Sequence, residues 1–243
     1  MKSSRSAKIG FWGYVPEDII NSYKEKYDNP TFIDLDIEIG APETKIIPDS
    51  SCKIIKNIID NSIYLKNELI EIIAPVGKDK CDNAYFASQI LKENGLKINE
   101  FEYLEKSQKQ EIKICKSNLP LRQKVELLTE NIVEKKEIKM VECEPKFGFW
   151  GVPPNDLSIL ELFPDETHVF GWLRCVEAGC PANIELEMQV DKDLPTIFYA
   201  QTFCSKCQIA KYLANKYNGL YIDVDGYSNS SIKAKIEAFL TLR

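Results

Sequence analysis

Histidine is almost missing from this chain, with one residue, His168, in 243. That scarcity excludes the His-based ligand sets of catalytic zinc enzymes, and with no Gly-x-Ser-x-Gly elbow a serine hydrolase is not expected either. His168 lies inside an apolar run and reads as a packed residue. A basic excess is also missing: 31 Lys and Arg stand against 37 Asp and Glu, a net charge of −6 and a pI near 5.1. Nucleic acid is therefore not an expected partner, because neutralising phosphates needs a basic surface. No apolar run approaches the roughly 20 residues of a membrane helix. The opening MKSSRSAKIGFWG has no apolar stretch of signal-peptide length, so a cytoplasmic location without membrane attachment is expected.

What the chain does have is eight cysteines and a repeat. Without an export signal, thiols stay reduced, and metal binding or redox chemistry is a more natural use than a disulfide framework. Gly10-Phe11-Trp12-Gly13 recurs as Gly148-Phe149-Trp150-Gly151. Glu38, Gly40 and Pro42 match Glu177, Gly179 and Pro181, and Lys80 and Cys81 match Lys206 and Cys207. Gly95, Leu96 and Tyr103 match Gly219, Leu220 and Tyr227. Two copies of about 100 residues can each bury a core. The expected organisation is a degenerate first repeat over 1–113, a helical connector over 114–145, and a second repeat over 146–243.

Short apolar runs bounded by turn residues give the strands. They are Ile9–Trp12, Phe32–Ile37, Leu69–Pro75 and Leu96–Asn99 in the first copy, and Phe147–Trp150, Thr167–Arg174, Thr196–Phe203 and Leu220–Val224 in the second. Helices are expected from Asp156 to Phe163, Cys204 to Tyr217 and Ser231 to Leu242, with Leu121, Val125, Leu127, Leu128 and Ile132 forming an apolar stripe in the connector. Strands alternating with helices predict an α/β fold of two tandem pseudo-symmetric modules, each a small, mostly parallel sheet flanked by helices. The repeated motifs fall after strands, at the edge where open α/β sheets bind ligands.

Cysteines concentrate in the second copy as Cys175-x4-Cys180 and Cys204-x2-Cys207. Two close pairs of thiolates are what a tetrahedral metal or an iron–sulfur cluster requires. The expected ligands are Cys175, Cys180, Cys204 and Cys207, with an iron–sulfur cluster as cofactor and zinc as the alternative. Cys81 is a fifth candidate, or else a leftover thiol. The Gly77-Lys78-Asp79-Lys80 loop lacks the full phosphate-loop pattern and reads as solvated surface. Glu38 and Glu177 read as turn-stabilising groups, and Cys52, Cys115 and Cys143 have no paired spacing.

A strand leading into Cys204-Ser205-Lys206-Cys207 at a helix start also suits disulfide exchange, since helix dipole and lysine favour a thiolate. The segment TIFYAQTFCSKCQIAKYLANKYNGLYIDVD resembles the opening of a glutaredoxin or thioredoxin, over about 30 residues. Cys175-x4-Cys180-Pro181 with Phe203-Cys204-Ser205-Lys206-Cys207 is similar to small cluster-binding accessory proteins of methanogens, the methanogenesis marker group. That resemblance implies electron transfer or cofactor handling beside other subunits of a redox or maturation complex, such as activation of methyl-coenzyme M reductase. The expected function is an iron–sulfur accessory protein; a dithiol oxidoreductase and a zinc-stabilised scaffold are the alternatives.

Overall fold

The computed structural model describes residues 6–77 and 80–243, so Lys78 and Asp79 of the first copy's glycine loop lie outside the described residues. The chain divides into two units, Met1–Leu104 and Glu105–Arg243. In the first, β1 (Lys8–Phe11), α1 (Glu17–Lys26), β2 (Thr31–Asp34), α2 (Lys53–Tyr64), β3 (Leu69–Val76), α3 (Asp82–Glu93) and β4 (Ile98–Glu102) follow one another. The second begins with α4 (Leu121–Glu130), β5 (Phe147–Trp150), a 3₁₀ turn over Leu157–Leu162 and β6 (Thr167–Phe170). It continues through α5 (Trp172–Glu177), α6 (Ile184–Met188), β7 (Thr196–Gln201), α7 (Lys206–Lys216), β8 (Leu220–Val224) and α8 (Ser230–Leu242).

Each unit holds one four-stranded sheet with every pair parallel, in the orders β2-β1-β3-β4 and β6-β5-β7-β8. The expected α/β class with two tandem modules is what the chain adopts. Parallel strands need crossover helices that cover both faces, so inner strands are mostly apolar and buried on both sides. In β7 all six residues of TIFYAQ are buried, and Trp150, Phe170, Phe198, Leu213 and Ala214 close one core cluster around it.

The connector belongs to the second unit. Leu121, Val125, Leu127, Leu128 and Ile132 are all buried, and α4 packs on the 3₁₀ turn and on α5. Lys124 is buried on the same helix, its Nζ donating to the carbonyls of Asp165 at 2.9 Å and Thr167 at 2.6 Å. A buried cation tolerates that place only because both bonds are made.

One element departs from the expected strand over Thr167–Arg174. Extended structure ends at Phe170, Gly171 takes φ +75, and Trp172–Glu177 is helical. A side chain at Gly171 would press its Cβ to 2.8 Å from the Gly151 nitrogen and 3.1 Å from the Trp150 ring. Only glycine fits both that φ and that approach. Cys175 consequently lies in a helix and not at a strand end.

Strand register also revises the match between copies. Gly10 pairs with Ile33 and Ile72, and its equivalent Gly148 pairs with His168 and Thr196. Counting on from these partners places Asp36 with Gly171 and places Cys81 with Ser205, not Cys207. Cys81 and Ser205 are indeed the N-cap residues of α3 and α7.

Candidate functional site

In a sheet ordered β6-β5-β7-β8 the strand order reverses between β5 and β7, and the carboxyl ends of those two strands open the crevice where such sheets take ligands. In the second unit that edge carries the Gly-Phe-Trp-Gly turn after β5 and the Cys204-x2-Cys207 turn after β7. Trp150 is fully buried there, its Nε1 donating to the Glu187 carbonyl at 2.7 Å.

The second turn is tight. Cys204 N donates to the Gln201 carbonyl at 3.0 Å, and Cys207 N donates to the Cys204 carbonyl at 3.0 Å. Phe203, immediately before Cys204, has φ +63 and is 57% exposed. Ser205 caps α7, so both thiols sit at the start of an 11-residue helix whose free N–H groups favour negative charge. Both cysteines are half-buried, and the Cys207 thiol donates to the Gln201 carbonyl at 3.0 Å. Burial pushes the Cys207 pKa up, against a lowering hydrogen bond with the Tyr221 hydroxyl.

Cys175 and Cys180 are both fully buried free thiols. Their spacing has a local cause. Gly179 at φ +66 ends α5: Gly179 N bonds the Val176 carbonyl at 3.0 Å and Cys180 N bonds the Cys175 carbonyl at 2.9 Å. That pair of bonds is a Schellman motif, whose flanking residues make a hydrophobic contact, here filled by two sulfur side chains. Burial, followed by the nearby Glu187 carboxylate, pushes Cys175 up to about 12. Burial also raises Cys180.

Two cations serve this region. Arg174, 8% exposed, donates to the carbonyls of Leu186 and Gln189 and stacks 5.0 Å from the Phe170 ring centre, while its Nε finds no acceptor among the described residues. Lys206, between Ser205 and Cys207, pairs with the Glu187 carboxylate, which is 3% exposed. Lys206 is also within electrostatic reach of Cys175, so the two cysteine pairs share one charged neighbour.

The four cysteines stand as two pairs, and among the described residues no group of three or more His, Cys, Asp or Glu side chains is placed to hold a metal ion. Cys81 is exposed at the N-cap of α3 in the first unit. Cys115 is buried and Cys143 half-buried in the second. His168 meets the Cys143 carbonyl at 2.9 Å through Nε2, and burial lowers its pKa, as suits a packed residue. Glu177 accepts the backbone N–H groups of Lys113, Ile114 and Cys115 at 2.8, 2.5 and 2.9 Å, tying the segment before α4 to the end of α5. It is a structural anchor for a distant segment and not, as expected, a stabiliser of its own glycine turn.

At the matching edge of the first unit, Asp36 accepts the Gly13 N–H at 2.6 Å, and Asp34 accepts the Asp36 N–H at 2.9 Å. Burial raises Asp34 to about 6, and burial with repulsion from Asp34 raises Asp36 well above the usual carboxylate range. Carboxyls held protonated by the fold stabilise it fully below their unfolded pKa, and that contribution is lost as pH rises through the folded values. The first unit is thus expected to melt higher at pH 5 than at pH 7. Asp36→Asn keeps an acceptor for Gly13 and should flatten this pH dependence, which thermal melts across pH 4–8 would measure.

Arg174 and Glu187 carry no signal in the sequence, while Phe203 and Lys206 enter it only as neighbours of the two cysteines. No protein-family model matches the chain, and no curated protein matches it.

Proposed function

We propose that the second unit is a dithiol redox module whose reacting pair is Cys204 and Cys207, acting on protein partners in a redox or maturation complex. The observation that carries this reading is the junction of β7 and α7, which sets two half-buried thiols three residues apart at a helix start, on the ligand-binding edge of the sheet. Cys204 attacks a substrate disulfide as the thiolate, displacing one substrate sulfur, which takes up a proton. Cys207 then loses its proton and attacks Cys204, releasing the second substrate thiol. Two electrons leave the protein, and Cys204 and Cys207 end joined as a disulfide. The likeness to glutaredoxin is confined to this junction, because the sheet here is wholly parallel and no strand follows β8 among the described residues.

A four-cysteine centre, iron–sulfur or zinc, is the competing proposal. In its favour, Cys175 and the CxxC turn share Lys206 as a charged neighbour. As they stand, however, the thiols do not form a cage, and a bound cation would compete with the Lys206 ammonium. The deciding experiment is metal and acid-labile sulfide analysis of protein purified without oxygen, followed by thiol counting during titration with a disulfide. The dithiol reading expects metal-free protein that loses two thiols per chain reversibly. Stoichiometric iron with sulfide, or zinc, held by protein whose thiols do not react would overturn it.

A further inference from the structure

Phe203 is an aromatic residue in the left-handed region, a conformation that glycine takes freely and bulky residues take under strain. The other non-glycine residues there among the described residues are Asn29, Lys45 and Asn218; asparagine is the side chain that tolerates it best. The phenyl ring gains no burial in return, since it remains 57% exposed. Strain held at an exposed side chain beside a reactive group is what a binding role accounts for.

The surroundings specify the ligand. Thr202 N donates to the Val224 carbonyl at 3.3 Å, so the β7 and β8 ends adjoin. The loop after β8 is pinned by Asp156, which accepts Ser228 N at 3.1 Å, and it carries Tyr227, 69% exposed. Two exposed aromatics therefore stand on neighbouring loops at the edge that holds the dithiol. The nearby charges do not favour an anionic disulfide such as oxidised glutathione: Lys206, the cation of the turn, is held by Glu187, Asp223 lies within electrostatic reach of Cys207, and the Lys233 ammonium near the Tyr227 loop donates to Ser158 Oγ at 2.8 Å beside the Asp156 carboxylate.

We infer that Phe203 is the docking residue for the substrate of this dithiol, and that the substrate is a polypeptide disulfide flanked by apolar side chains. The inference rests on the dithiol reading above. It is tested by reacting the reduced protein with three probes: a disulfide peptide flanked by Leu and Phe, the same peptide flanked by Ser and Gly, and oxidised glutathione. Wild-type protein should favour the apolar peptide by about tenfold or more, the scale of an aromatic anchor. Phe203→Gly, whose backbone suits the turn, should lose that preference, reacting with both peptides at similar rates. Phe203→Leu should keep part of it. Equal rates for both peptides in the wild type, or a preference that survives Phe203→Gly, would overturn the docking role and leave the dithiol standing. Absence of reaction with all three probes would overturn both.

Discussion

Cys207→Ser protein mixed with a disulfide peptide is expected to stall as a mixed disulfide on Cys204, one peptide per chain, while Cys204→Ser forms no adduct. Both variants should lose multiple turnover by on the order of a thousandfold, the scale for removing one member of a group that works as a unit. The difference between them follows from the geometry. Cys207 packs against the core cluster with its thiol on the Gln201 carbonyl, so it is placed to resolve and not to attack first. Its raised pKa means that little thiolate is present near neutrality, and resolution in the wild type should quicken as pH rises toward the folded value. The Cys175→Ala/Cys180→Ala double variant supplies the contrast. Those thiols are fully buried and Cys175 is held protonated, so disulfide chemistry at Cys204 should continue within a few-fold of wild type. A shared metal centre predicts the reverse, equal loss from either pair. Non-reducing mass spectrometry of the trapped adduct, with stopped-flow rates for each variant, reads all of these outcomes.

The sheets were legible because the strands are short, mainly apolar runs beside turn residues: β5 and β8 have the expected bounds, and β7 starts at the expected Thr196 but ends at Gln201, two residues before Phe203. The cap of α8 was nearly so, with Asn229 accepting the Ile232 N–H at 3.0 Å at the expected start. Three features are misleading. Gly171 sits within THVFGWLR, a run apolar enough to read as strand, and the break is decided by the approach of Gly151, a residue 20 positions earlier. The x4 spacing of Cys175 and Cys180 looks like a ligand pair, yet the same spacing is what a Schellman turn requires of the two residues in contact across it. The match of Cys81 with Cys207 follows residue identity, whereas strand pairing aligns Cys81 with Ser205, at the same offset by which Gly95 matches Gly219. The site's electrostatics were hidden for a related reason. Glu187 and Lys206 lie on separate short helices, and nothing local to either one announces the other.

That ion pair supports the last expectation, a large loss of stability in Lys206→Met. Glu187 has a carboxylate that is only 3% exposed, whereas Lys206 is 26% exposed, so removing the ammonium leaves the more deeply buried partner unpaired. Breaking such a pair from one side costs about 3 kcal/mol, at the lower end of the buried range because the lysine keeps some solvent. The urea midpoint should therefore fall by about 1 M or more. Replacing both partners, Lys206→Met with Glu187→Gln, should recover most of the loss, since no uncompensated charge then remains. A double variant as unstable as Lys206→Met alone would mean that the lysine acts through its packing and not its charge. The same pair of variants bears on chemistry, because Cys175 is lowered by Lys206 and raised by Glu187. Lys206→Met should make the buried thiol still harder to ionise, and a centre needing the Cys175 thiolate would respond to that change. Turnover at Cys204, which the dithiol reading assigns to the turn after β7, should survive it wherever the protein remains folded.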